Sequence, residues 1–145
     1  MTASADAPER AALTARLIAF LRAKGRNCEE NIKVTLTASL PHIEPCIAAE
    51  MHTVQFDVFS RFEGRAVRHQ EPHLYQVAVT RSDFLALMAQ CKKRAVAEWV
   101  CEGFYVVAPA GVLAPEEIPA HYGLLTPDGE SGFNYVKNAV FPARA

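Results

Sequence analysis

The chain has 145 residues, 50% of them hydrophobic and 21% charged, which suits one globular domain with a full apolar core. Its formal net charge of −1 excludes a global basic signal for nucleic acid, so any such contact must rest on a local patch. No apolar run reaches the ~18 residues that span a bilayer, and Met1 to Arg10 lacks an apolar signal-peptide core, so a cytoplasmic setting is expected.

Residues 1–8 read as a disordered tail. Glu9 to Ala23 reads as a helix, because Leu13, Leu17, Phe20 and Leu21 recur at helical spacing. Gly25 is its expected C-cap. Ile32 to Leu36 alternates apolar and polar residues, as a half-buried strand does. Ala38 to Cys46, with Pro41 and Pro45, reads as a loop or short helical turn. Met51 to Phe62 reads as a strand, with Val54, Phe56 and Val58 on one side and Gln55, Asp57 and Phe59 on the other. Glu63 to Pro72 is a polar connection. Leu74 to Val79 has the low polarity of a central strand buried on both faces.

Thr80 or Ser82 caps the helix that follows. That helix carries Phe84 to Met88, a basic run at Lys92, Lys93 and Arg94, and a buried side of Val96, Trp99 and Val100, ending near Gly103. Phe104 to Ala108 reads as a strand and Pro115 to Pro119 as a turn. Tyr122 to Thr126 reads as a short strand, Pro127 to Gly129 as a turn and Phe133 to Val140 as a last strand. Strands with helices on their faces make an α/β sandwich. Cys28, Cys46, Cys91 and Cys101 form no close pair, so buried thiols are expected rather than zinc ligands.

The ordered set from Phe56-Asp57-Val58 to Tyr135-Val136-Lys137-Asn138-Ala139 resembles a small branch of the PD-(D/E)xK nuclease-like superfamily, of the kind grouped with MmcB-type DNA repair proteins and phage nucleases. Between those ends the resemblance runs through Tyr75-Gln76-Val77-Ala78-Val79, Thr80-Arg81-Ser82-Asp83-Phe84-Leu85 and Phe104-Tyr105-Val106-Val107-Ala108-Pro109. It continues through Pro115-Glu116-Glu117-Ile118-Pro119 and Gly123-Leu124-Leu125. It implies a restriction-endonuclease-like α/β core, a mixed sheet flanked by helices, in one domain over residues 9–145.

Such enzymes hold Mg²⁺ on carboxylates from adjacent strands, and a lysine on the same face supports the attacking water. Asp57 matches the first carboxylate and is the implied metal ligand. Gln76 stands where the second carboxylate belongs, and Ala78 where the lysine belongs. Gln76 and Ala78 share one strand face, and neither supplies a charge. Any Mg²⁺ would be weakly held, and each lost electrostatic group costs on the order of 10²–10³ in rate.

The expectation is therefore a nuclease-fold protein with a degenerate motif that binds DNA or a DNA-processing protein, with no membrane role and a homodimer allowed. Arg81, Lys92, Lys93 and Arg94 are the expected nucleic-acid contacts. One alternative is an active Mg²⁺-dependent endonuclease using Asp57, an acid among Glu29, Glu30 and Glu50, and a relocated Lys92 or Lys93. Another is a phage-type inhibitor that keeps the fold and works by protein contact. Arg65, Arg68 and His69 are expected near the edge of the site, Trp99 in the core, and Asp83 as a helix-cap residue.

Overall fold

The computed structural model describes residues 7–38 and 50–140. The expected loop around Pro41, Pro45 and Cys46 lies outside them, as does all of the expected tail except Ala7 and Pro8. Those two open helix α1 (Ala7–Ala23), where proline is tolerated because a first-turn N–H has no helical acceptor. Leu13, Leu17 and Leu21 are buried along one stripe, with Thr14 and Ile18 beside them.

The helix stops at Gly25, whose φ of 89° a side chain would resist. Gly25 N–H donates to the Arg22 carbonyl at 3.0 Å and Arg26 N–H to the Leu21 carbonyl at 3.1 Å, the paired bonds of a Schellman motif.

Among the described residues six strands follow: β1 (Asn27–Ala38), β2 (Glu50–Arg61), β3 (His73–Val77), β4 (Gly103–Val107), β5 (Gly123–Asp128) and β6 (Gly132–Lys137). They form one mixed sheet in chain order. β1, β2 and β3 pair antiparallel, β3–β4 and β4–β5 pair parallel, and β5–β6 is antiparallel. The fold is thus α/β, as expected. The β3-to-β4 crossover contains two helices, α2 (Arg81–Met88) and α3 (Cys91–Val100), where the sequence pattern suggested one. No described helix is long and apolar enough to cross a membrane.

The sheet separates two apolar layers. On one face α1 meets Val58, Tyr75, Val77, Val79, Tyr105, Val107, Leu125 and Phe133. On the other, α2, α3 and the 109–122 connection meet Phe56, Leu74, Ala78, Phe104, Val106 and Leu124. β3 and β4 are covered on both faces, which explains their near-continuous apolar sequence.

Two expectations change here. Phe56 and Val58 do not share a side: Phe56 joins the α2–α3 layer, Val58 the α1 layer, and Phe59 packs with Phe56 again. The alternation breaks at Asp57, opposite Asn31 in β1. Asn31 has a φ of 54°, and the pairs Glu30↔Val58 and Ile32↔Phe56 flank this unpaired step. A left-handed residue, which asparagine tolerates, turns the pleat over. The second change concerns Trp99, which is 51% exposed. The buried side of α3 is Ala95, Val96 and Ala97, a face of small residues, and the indole stays outside it.

Among the described cysteines, Cys101 is buried, Cys28 is half-buried and Cys91 is exposed.

Candidate functional site

The break in β2 turns Asp57 toward the end of β3. The two strands pair over only Val58↔Tyr75, Phe59↔Leu74 and Ser60↔His73. Beyond that the Asp57 side chain takes over the ladder: its Oδ2 accepts the Val77 N–H at 2.8 Å. The same oxygen accepts from Arg10 Nη1 at 3.0 Å. Arg10 Nη1 also donates to the Val77 carbonyl at 2.7 Å, and its Nη2 to Asp83 Oδ2 at 3.3 Å.

Asp83 is a cap residue, as expected. Its Oδ2 accepts from the Val79 and Thr80 N–H groups, and its own N–H donates to Thr80 Oγ1, completing a capping box at the start of α2. One guanidinium therefore joins the first helix, the end of β3 and the cap of α2. Two carboxylates and a carbonyl converge on it.

Gln76 lies between Leu74 and Ala78 on the sheet face covered by α2 and α3. Its Oε1 is buried with no hydrogen-bond partner among the described residues, an arrangement that costs about 1–3 kcal/mol. Ala78 is fully packed in that layer and its N–H donates to the Val107 carbonyl at 2.8 Å. Lys93 reaches this region from α3, with its Nζ 5.3 Å from the centre of the Phe56 ring. Burial lowers its pKa, the Arg10 charge lowers it further, and the Asp57 carboxylate opposes both. Asp57, Gln76 and Lys93 thus share one neighbourhood at the carboxyl ends of the parallel strands, where open α/β sheets place their ligands.

The expected basic cluster divides. Arg81 pairs with the Glu117 carboxylate. That carboxyl is held below its ordinary range, first by the Ala114 N–H and then by Arg81. Arg94 turns inward, donating to Tyr122 Oη at 3.1 Å and to the Met88 carbonyl at 2.9 Å. Tyr122 in turn donates to Glu98 at 2.7 Å. Lys93 points toward the Asp57 region, and of the four only Lys92 is exposed without a hydrogen-bond or ion-pair partner among the described residues. Arg81 and Arg94 therefore serve as ties within the fold.

Glu29 and Glu30 are exposed on β1. Glu50 opens β2 seven residues before Asp57, roughly 23 Å along the strand. Arg65, Arg68 and His69 do not edge this site. Their connection leaves the far end of β2 and returns into the start of β3, at the opposite end of the sheet.

The oxygen donors at Asp57, Asp83 and Val77 do not fit a resident Mg²⁺. They are already joined by a guanidinium, and octahedral coordination by hard oxygens needs the space it fills. Among the described residues no group of three His, Cys, Asp or Glu side chains could hold a metal ion. Arg10 and Asn31 are the two site residues that the sequence reading missed. Arg10 reads as an ordinary helix-surface arginine, and nothing in a strand pattern marks a left-handed asparagine.

No protein-family model and no curated protein matches this chain. A solved structure of a protein of unknown function from Silicibacter pomeroyi is similar over 91% of this chain and 73% of its own length, with a TM-score of 0.58 and 22% identity. That likeness is one of fold.

Proposed function

We propose that this chain is a nuclease-fold protein of the PD-(D/E)xK type that has lost phosphodiester hydrolysis and retains a binding role, toward nucleic acid or a protein that processes it. The observation that carries the reading is the Arg10 guanidinium bonded to Asp57 Oδ2 and the Val77 carbonyl. A fixed monovalent cation there satisfies the acidic strand end without a metal's capacity to activate water. Gln76 and Ala78 support the same reading, since neither brings a charge. The order of one helix, three antiparallel strands, a helical crossover and a parallel fourth strand suits the restriction-endonuclease-like core. A cytoplasmic setting is part of the proposal.

The test is Mg²⁺-dependent cleavage of single-stranded, duplex and branched DNA by the purified chain, beside the double variant Arg10→Ala with Gln76→Glu. The expected result is no cleavage by the natural chain and measurable Mg²⁺ binding only in the variant. This pair is preferable to restoring a lysine at Ala78, which is 1% exposed and has no room for one. Cleavage by the natural chain that Asp57→Ala abolishes would overturn the reading.

A second reading, an active enzyme with a relocated lysine, is favoured by one observation: Lys93, rather than Lys92, comes within electrostatic reach of Asp57. Loss of cleavage in Lys93→Met but not in Lys92→Met would establish it.

A further inference from the structure

At the far end of α1 a second arginine sits in very different company. Arg26 occupies the position after the Schellman glycine, where an apolar side chain commonly packs back on the helix. It is 6% exposed. Its Nε donates to Ser60 Oγ at 2.7 Å and its Nη2 to the Ser60 and Glu71 carbonyls. Glu71 holds a φ of 49°, a conformation a non-glycine residue adopts at a cost, and it aims its carbonyl at Arg26.

None of these acceptors is charged, and no carboxylate among the described residues pairs with Arg26. Nη1 has no acceptor among the described residues. A buried cation without a counter-charge favours the arrival of an anion.

The surroundings supply further cations. The guanidinium carbons of Arg26 and Arg65 lie 4.3 and 3.9 Å from the centre of the Phe62 ring, so one ring orients both. The loop carrying Arg65 is closed by Phe62 N–H donating to the Gln70 carbonyl at 2.8 Å and by Gln70 Nε2 donating to the Arg65 carbonyl at 2.9 Å. Arg68 and His69 are exposed on the same loop and bonded to each other at 3.2 Å. The loop acid Glu63 is taken by Arg61 and Asn27. Exposed Arg22 and Lys24 close this end of the molecule.

We propose that Arg26 and Arg65, stacked on Phe62 and flanked by Arg68, form a phosphate-binding site whose ligand is the backbone of a nucleic acid. A guanidinium donates charge-assisted hydrogen bonds to phosphate oxygens, Arg26 through its remaining Nη1 and Arg65 through its fork, and several arginines suit a group with more than two oxygens. The phosphate assignment stands on this arginine geometry, and the nucleic-acid source rests on the reading under Proposed function.

The experiment titrates the full chain with inorganic phosphate and, separately, with acetate, at constant ionic strength set by chloride, following calorimetric heat and the thermal midpoint. A fluorescent single-stranded oligonucleotide is titrated in parallel by anisotropy. Phosphate should bind and acetate should not. Arg65→Gln, an exposed change that leaves the core alone, should weaken phosphate about tenfold, the effect of losing one charge-assisted hydrogen bond. Arg26→Lys should weaken it further, and Lys33→Gln on β1 should leave it unchanged.

Equal stabilisation by acetate, or unchanged phosphate affinity in Arg65→Gln, would overturn the site. If phosphate binds as described and the oligonucleotide does not, the site stands and the nucleic-acid source falls. If the oligonucleotide binds equally well in Arg65→Gln, nucleic-acid binding stands and this site is not its seat.

Discussion

Arg10, in the first turn of helix α1, and Arg26, just past its terminal glycine, stand at opposite ends of a 17-residue helix about 25 Å long, and the two solve opposite problems. Arg10 is 34% exposed in its side chain and faces two carboxylates. Arg26 is buried, and among the described residues its hydrogen bonds go to neutral oxygens. At the Arg10 end charge is matched within the chain, so the residues where chemistry was expected form a closed structural knot. At the Arg26 end a positive field is left over. It adds to the effect of burial in pushing the His73 imidazole down to about 3, and it pulls against burial at Tyr75, Tyr105 and Tyr135. The end that looks catalytic by position is electrostatically satisfied, and the end without a motif is not.

The sharpest way to break this comparison is Arg26→Met. It removes three hydrogen bonds from a buried position and leaves Ser60 and the Glu71 carbonyl to find other partners. Urea unfolding should show a loss of about 3 kcal/mol or more, against about 1 kcal/mol for Arg10→Met, which is partly solvated. Equal losses would mean that the two ends do not differ as described.

Acid stability tests the same field. His73 is ordinarily a group of pKa 6.5, lowered here to about 3 by burial first and the Arg26 charge second. Between those values the unfolded chain binds a proton that the folded chain refuses. Stability from this group is therefore full above pH 6.5 and falls as pH drops toward 3, by about 1.4 kcal/mol per unit. Denaturation midpoints measured across that range should flatten in His73→Phe, and an unchanged slope would remove His73 from the account.

The smallest effect separates two substitutions at Asp57. Asp57→Asn keeps an oxygen for the Val77 N–H and loses only the charge opposite Arg10, whereas Asp57→Ala loses both. Unfolding should place the alanine variant about 1 kcal/mol below the asparagine variant, and amide exchange at Val77 should be fast only in the former.

Much of the fold can be read from the chain without coordinates. The leucine spacing of α1, the stop at Gly25, the apolar run of β3, the Thr80–Asp83 cap and the near-continuous apolar character of β4 are local signals. Each is written in a few consecutive residues and limited by covalent geometry or by a period of 2 or 3.6. Gln76 and Ala78 could likewise be seen to lack charge and to share a strand face, whereas their pairing with Asp57 rests on the family resemblance.

What the sequence could not decide was which side chains meet across the sheet. The turn-over of β2 depends on one left-handed asparagine in its neighbour. The inward turn of Arg94 and the exposure of Trp99 depend on which face of α3 lies on the sheet. The contrast between Arg10 and Arg26 depends on contacts between residues 34 to 73 positions apart. Two arginines are chemically identical in sequence. Only the packed structure, by giving one of them carboxylates and the other carbonyls, makes one a structural tie and leaves the other with charge to offer a ligand.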